Sequence, residues 1–405
     1  MRRSILFFVV AVAAGGLAGC GGGVQFAPGQ GVWSPAVTPA WAHQPRYAIT
    51  DNRSDELSFV TVGKAMPQLL GNIPVGDVPV ELEGPHHLAS SPDGKYIYYN
   101  LSNYVPGTGS GPHGSHGTGD VPGSLVKLDA ATGAKVGEVL VDRNPGDVIL
   151  NAAGTLAFVT HYDLLRVQEQ LTEGLPAEQG YSDVYIVDTA SMTVLSQIAV
   201  GPTTHGEGLS PDEKTLYVVC AQSDELAVLD VSDPAHPSVK LKLPVGPSPG
   251  ALGAPVYGPY ALTVDPQDGT AWVSDNNAGD VRVFDPKTMQ MDPSKVIPIG
   301  GVAMFGAFTG GGATYYVPHQ GDDQLTRIDT ATLKTTTLPM PDGACLNMHA
   351  IHIAPDEQSA VLVCEGDHVT MPGTVVNISL PPFAVTGFVA VGLFPDGAAW
   401  LPPAP

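Results

Sequence analysis

The stretch GPHHLASSPDGKYIYYN, residues 84–100, returns in altered form along the chain, and that recurrence limits what the chain can become. THGEGLSPDEKTLYVVC begins at Thr204, PYALTVDPQDGTAWVSD at Pro259 and MHAIHIAPDEQSAVLVC at Met348. Looser copies are PGDVILNAAGTLAFVTH from Pro145 and AMFGAFTGGGATYYVPH from Ala303. Each is a short apolar run, a turn rich in Pro, Asp or Gly, and a second β-prone run, which is the pattern of a hairpin. A second strand–turn–strand follows each copy, as in SLVKLDAATGAKVGEVLVD and DDQLTRIDTATLKTTTLPM. Asp129, Asp188, Asp230, Asp285 and Asp329 stand there where an Asx turn starts, a structural role. Each unit therefore has four strands, A to D. The later units recur about every 45 residues, the period of a propeller blade.

The chain ends complete the count. Residues 46–76 read as strands B, C and D with no A, and FPDGAAWLPP, residues 394–403, reads as a lone A. Joined, they predict an all-β, seven-bladed β-propeller in which a C-terminal strand completes the N-terminal three-stranded blade. Such closure removes exposed sheet edges. The 48 glycines and 38 prolines suit many short strands and tight turns.

GPHHLASSPDGKYIYYN resembles the YVTN-type propeller repeat, whose pattern runs near Pro-His-Gly-Ile-Ala-Val-Ser-Pro-Asp-Gly and then Leu-Tyr-Val-Thr-Asn. The resemblance covers residues 46–403. It implies the fold rather than one reaction, because such propellers include binding modules, lactonases and redox enzymes.

The first residues, MRRSILFFVVAVAAGGLAGC, place two arginines before an apolar run and small residues before Cys20, which is a secretion signal. Leu17-Ala18-Gly19-Cys20 resembles the bacterial lipobox. That resemblance implies cleavage after residue 19, acylation of Cys20 and, with Gly21 rather than aspartate next, an outer-membrane location on its periplasmic or surface side. Residues 20–45, rich in Gly and Pro, read as a tether, and residues 46–405 as the propeller. The formal net charge of −22 repels nucleic acid and acidic membranes, so membrane contact is expected through the anchor only. The expected partner is an envelope protein or a small-molecule ligand, and the expected state a monomer.

Past the leader, three cysteines remain, Cys220, Cys345 and Cys364, so at most one disulfide forms and one thiol is left over. No Cys-x-x-Cys-His is present, which excludes covalent c-type haem, and neither a Walker loop nor a Gly-x-Ser-x-Gly elbow occurs.

In a propeller, strand A lines the central channel, and the start of A and the end of B lie on one face, called the head here. The starts of A read His86, Gly146, His205, Tyr260, Met304, His349 and Asp396, with His87 and Asp147 one step further in. The ends of B read Asn52, Leu101, His161, Cys220, Asp275, His319 and Cys364. Imidazole, thiolate and thioether are soft or borderline metal ligands. The candidate metal residues are His86, His87, His205 and His349, with Met304, Asp396, His161, His319, Cys220, Cys345 and Cys364 as further candidates on the same face. Strand alternation keeps His352 from pointing with His349, so it is expected between blades. His113 and His116 lie in a glycine-rich insertion, residues 105–123. Two more insertions, residues 163–183 with a short helix and residues 246–258, gather on the head, where function tends to sit. His43 and His236 carry no expected role.

The set also resembles, in part, the propeller of nitrous oxide reductase, which holds copper with a histidine ring that includes an adjacent pair. Gly146, Tyr260, Met304 and Asp396 depart from that ring, so the same cluster and reaction are not implied. Three readings stay open: a binding module acting through its head, a copper-dependent redox or electron-transfer protein, and a lactonase-like hydrolase. The second requires at least three of the histidines to reach a common point.

Overall fold

The computed structural model describes residues 39–61, 63, 66–76, 82–102 and 119–404, with the short pairs Val24–Gln25 and Ser34–Pro35. The leader, Cys20, most of the tether, His113 and His116 lie outside the described residues. Among the described residues no helix is long and apolar enough to cross a membrane.

Seven antiparallel sheets, each running A-B-C-D outward from the axis, form the propeller. In blade 1 the C-terminal strand Pro395–Leu401 pairs with Arg46–Asp51, setting Ala398 opposite Ile49 and Leu401 opposite Arg46. Strand C of that blade is Glu56–Thr61 and strand D is Leu69–Pro74. The expected closure by the last strand is thus met. The ring starts slightly earlier than residue 46: Ala42 is fully buried and Trp41 stacks on Phe59 at 4.1 Å. Trp41 and Ala42 thus pack against blade 1, whereas residues 43–45 are exposed.

Strands B and C are covered on both faces by neighbouring blades and read as apolar runs. Leu57 and Phe59 of blade 1 meet Tyr99 and Val126 of blade 2, and Val184 and Ile186 of blade 3 meet Val218 and Leu229 of blade 4. Strand D is the outer edge, and Lys135–Leu140 alternates half-buried and exposed positions accordingly. The Asx turns form as expected: Asp129 Oδ1 accepts the N–H of Ala131 and Thr132, and Asp329 Oδ1 accepts that of Thr332.

The A strands fix the channel. In Pro85–Ser90, Pro145–Leu150, Pro259–Val264 and Met348–Ile353 the first four residues are buried and the last two are half-exposed. The channel is therefore shut at its head and opens at its foot, below a cavity of about 870 Å³. Two insertions roof the head. Helix α1, Leu164–Glu173, is capped by Asp163, whose carboxylate accepts the Arg166 N–H and binds Arg143. Its Val167 and Leu171 pack beside Gly253 in the loop at residues 246–258. That loop is held by Asp224, which accepts the N–H groups of Gly250, Val256, Tyr257 and Gly258.

Candidate metal centre

At the head of strand A, one or two residues are inserted against a shorter stretch of strand B. Pro85 faces Leu101 but Leu88 faces Tyr99, so His86 and His87 together oppose Asn100. The same bulge recurs at Gly146–Asp147, His205–Gly206, Tyr260, His349 and Asp396–Gly397. A bulge re-aims side chains that would otherwise alternate. That is why two adjacent histidines reach one place. In blade 6 the extra residue breaks strand A into Val302–Ala303 and Ala307–Phe308, and Phe305 pairs in parallel with Ala350 of blade 7.

The bulges bring His86, His87, His205 and His349 together, and all four are buried. Donor atoms of His86, His87 and His205 lie within 4.8 Å of one another. His86 Nδ1 donates to the carbonyl of Gly146 at 2.6 Å. His87 Nδ1 donates to Asp147 Oδ1 at 3.0 Å, and His349 Nδ1 donates to Glu365 Oε1. A ring that carries its proton on Nδ1 presents a lone pair at Nε2. The Nε2 atoms of His87 and His349 face each other at 3.1 Å. Two lone pairs do not approach so closely without positive charge between them, either a shared proton or a cation.

Carboxylates surround this pair. Glu365 is fully buried between His349 and His368, and Asp396 lies within 4.8 Å of the donor atoms of His349 and Glu365. Burial opposes charge on His349, yet the Glu365 carboxylate, with Asp396 and Asp147 beyond it, raises its pKa overall.

Aromatic rings close the remaining sides. Tyr260 stacks on His205 at 4.3 Å, and Tyr162 meets His205 edge-on at 5.2 Å. Phe305 touches His87, His205 and His349 at 4.5, 5.4 and 5.5 Å and, with His87, faces the cavity below. Two glycines make the crowding feasible. A methyl group on Gly146 would lie 3.2 Å from the His205 ring, and one on Gly206 would lie 2.6 Å from the Ala261 backbone.

The further candidates fare differently. Asp396 joins the centre, whereas Met304 packs with Tyr260 and Ala261 in an apolar cluster. The ends of strand B do not reach the channel, because strand A stands between them and the axis. His161 donates Nδ1 to the Asp183 carbonyl and lies against Tyr185, and its pKa is pushed down to about 4 by burial. His319 bonds Asp322 and Thr326. Cys220 is a buried free thiol packed in the blade core, pushed up to about 12 by burial. Cys345 and Cys364 form a disulfide and so offer no thiolate. His352 lies between blades as expected, accepting the Ala398 N–H on Nε2, and burial lowers its pKa to about 4. His43 and His236 are exposed and take no part.

Phe305, Glu365, His368 and Glu207 were not among the candidates. Glu207 carried a readable signal. In the sheet register it stands where other blades have Leu88, Val148, Leu262 and Ile351.

No family model and no curated protein matches the chain. Solved structures share its fold. The periplasmic gluconolactonase of Pseudomonas aeruginosa aligns with a TM-score of 0.67 over 89% of this chain and 99% of that one, at 15% identity. A functionally unknown protein from Desulfotomaculum acetoxidans aligns at 0.65 over 89% and 99%, with 10% identity. Hydrazine synthase from Kuenenia stuttgartiensis aligns at 0.58 over 81% and 93%, with 20% identity. At such identities the likeness is one of fold.

Proposed function

We propose that the protein holds a transition-metal ion of the copper class at the head of its channel and uses it in redox or electron-transfer chemistry. The observation that carries this reading is the 3.1 Å separation of His87 Nε2 and His349 Nε2 with both Nδ1 atoms held by carboxylates. Two metal–nitrogen bonds of about 2.0 Å meeting at roughly a right angle place the nitrogens about 3 Å apart. His86 Nε2 and a ring nitrogen of His205 complete the donor set. Neutral imidazoles with no thiolate suit copper, which also heads the affinity order for such sites. Asp147 and Glu365 fix the tautomer and orientation of the two facing rings, a role that raises ligand basicity. Such an ion supplies one-electron chemistry, while Phe305 and Tyr260 cover the rings of His205 and His349.

The decisive experiment is metal analysis of the purified protein after copper loading, beside a variant with His86, His205 and His349 replaced by alanine. One copper per chain, lost in the variant, is the expected result. Absence of copper from both assigns the facing pair to a shared proton and ends the metal reading. A non-catalytic binding module, the first of the sequence readings, leaves the convergence of four imidazoles without a role.

A lactonase-like hydrolase is the second reading. It is favoured by the Asp147–His87 pair at the roof of the cavity, an oriented base of the kind hydrolysis needs, and by the fold shared with a gluconolactonase. It requires lactone hydrolysis that survives chelation and is lost in His87→Ala. An envelope location through Cys20, on the outer membrane, remains part of the proposal and rests on the leader alone.

A further inference from the structure

Glu207 is 3% exposed, lines the channel cavity, and has a hydrogen-bond partner on neither carboxylate oxygen. Leaving a buried carboxyl so placed is unfavourable unless a ligand supplies the missing donor. We propose that the channel below the histidines is a binding site for a small organic cation, an ammonium head on an apolar body, with the head seated at Glu207.

The charge balance of the cavity selects a cation. Asp147 shares the roof with Glu207, and among the described residues that line the cavity there is no lysine or arginine. The two imidazoles present are committed: His87 to Asp147 and His349, and His352 to the Ala398 N–H. The walls select an apolar body. Leu88, Ile149, Leu209, Leu262, Val264 and Ile351 line the channel between roof and foot. A volume of about 870 Å³ is that of a site for a drug-sized ligand. Access is from the foot, where Pro92 and Ala152 are exposed.

The test uses chelator-treated, metal-free protein, so its outcome is independent of the copper reading. Titration calorimetry compares 4-phenylbutylammonium with the uncharged 4-phenylbutanol. A hydrogen-bonded charge pair predicts that the ammonium binds at least ~10-fold more tightly than the alcohol. Glu207→Gln is expected to erase that difference and to leave alcohol binding unchanged, which reports an intact channel. Leu262→Trp, which fills the channel, is expected to abolish binding of both. Equal affinities in the unmodified protein, no binding of the ammonium, or an ammonium preference that persists in Glu207→Gln would each overturn the proposal. The comparison on the unmodified protein decides even if Glu207→Gln does not fold.

Discussion

His87 Nε2 and His349 Nε2 stand 3.1 Å apart across the head of the channel, on strands from blades 2 and 7 that are separated by most of the chain. The other nitrogen of each ring is held by a buried carboxylate, Asp147 on one side and Glu365 on the other. The fold thus spends two acids on aiming two imidazoles at one point.

Glu365 acts on the centre through His349. Glu365→Gln keeps the shape but weakens the acceptor for the His349 Nδ1–H. Copper affinity is expected to fall by ~10–100-fold, as for other outer-shell partners, with one ion still bound at saturation. Competition against a chelator of known affinity reads the change. An unaltered affinity would remove Glu365 from the centre.

The disulfide supports the same corner. Cys364 precedes Glu365 and faces Met348, which precedes His349. Its loop spans 19 residues, for which the chain-entropy estimate is about 3 kcal/mol. The double variant Cys345→Ser, Cys364→Ser is expected to unfold at lower denaturant by about that amount and to bind copper more weakly. Chemical denaturation followed by chelator competition measures both.

Much of this was legible in the chain and part was not, for a physical reason. Hairpins repeat with a fixed period, so the blades, their closure and the alignment of His86, His205 and His349 follow from pattern alone. A bulge leaves no periodic trace, because it is one residue in excess of the alternation. His87 stands out in the sequence as a departure from the repeat, but the bulge that turns it beside His86 and the exposure of Phe305 to the channel in its broken strand leave no such mark. His161, His319 and Cys220 share the head but stand behind strand A, while Cys345 and Cys364 are joined in a disulfide, and neither fact shows in the repeat pattern.

Gly206 lies inside the blade 4 bulge, between His205 and Glu207. Gly206→Ala would set a methyl group 2.6 Å from both Ala261 Cα and Leu262 N, so backbone must move. Overpacking of this kind costs about 1–3 kcal/mol. The variant is expected to lose stability by that order and to bind copper more weakly, since His205 moves with the strand. Thermal unfolding with and without copper distinguishes the two effects.

Acid stability follows from His161 and His352, both held neutral with pKa values near 4 by burial. The unfolded chain takes up their protons near pH 6.5, the folded chain only near 4. The unfolded state thus binds more protons in this window, so their contribution is complete above about pH 6.5 and is lost as pH falls toward 4. Each accounts for about 3 kcal/mol at most. Stability curves from pH 8 to 4 should fall less steeply in His161→Asn than in the unmodified protein. Parallel curves would show that His161 is not buried neutral.

Anomalous diffraction at the copper edge, from crystals of the copper-loaded protein, locates any ion held by His87 and His349. One strong peak is expected within about 2.1 Å of both His87 Nε2 and His349 Nε2, with His86 or His205 as a third ligand. A channel head with no peak, and the two Nε2 atoms still about 3.1 Å apart in copper-treated crystals, would contradict it.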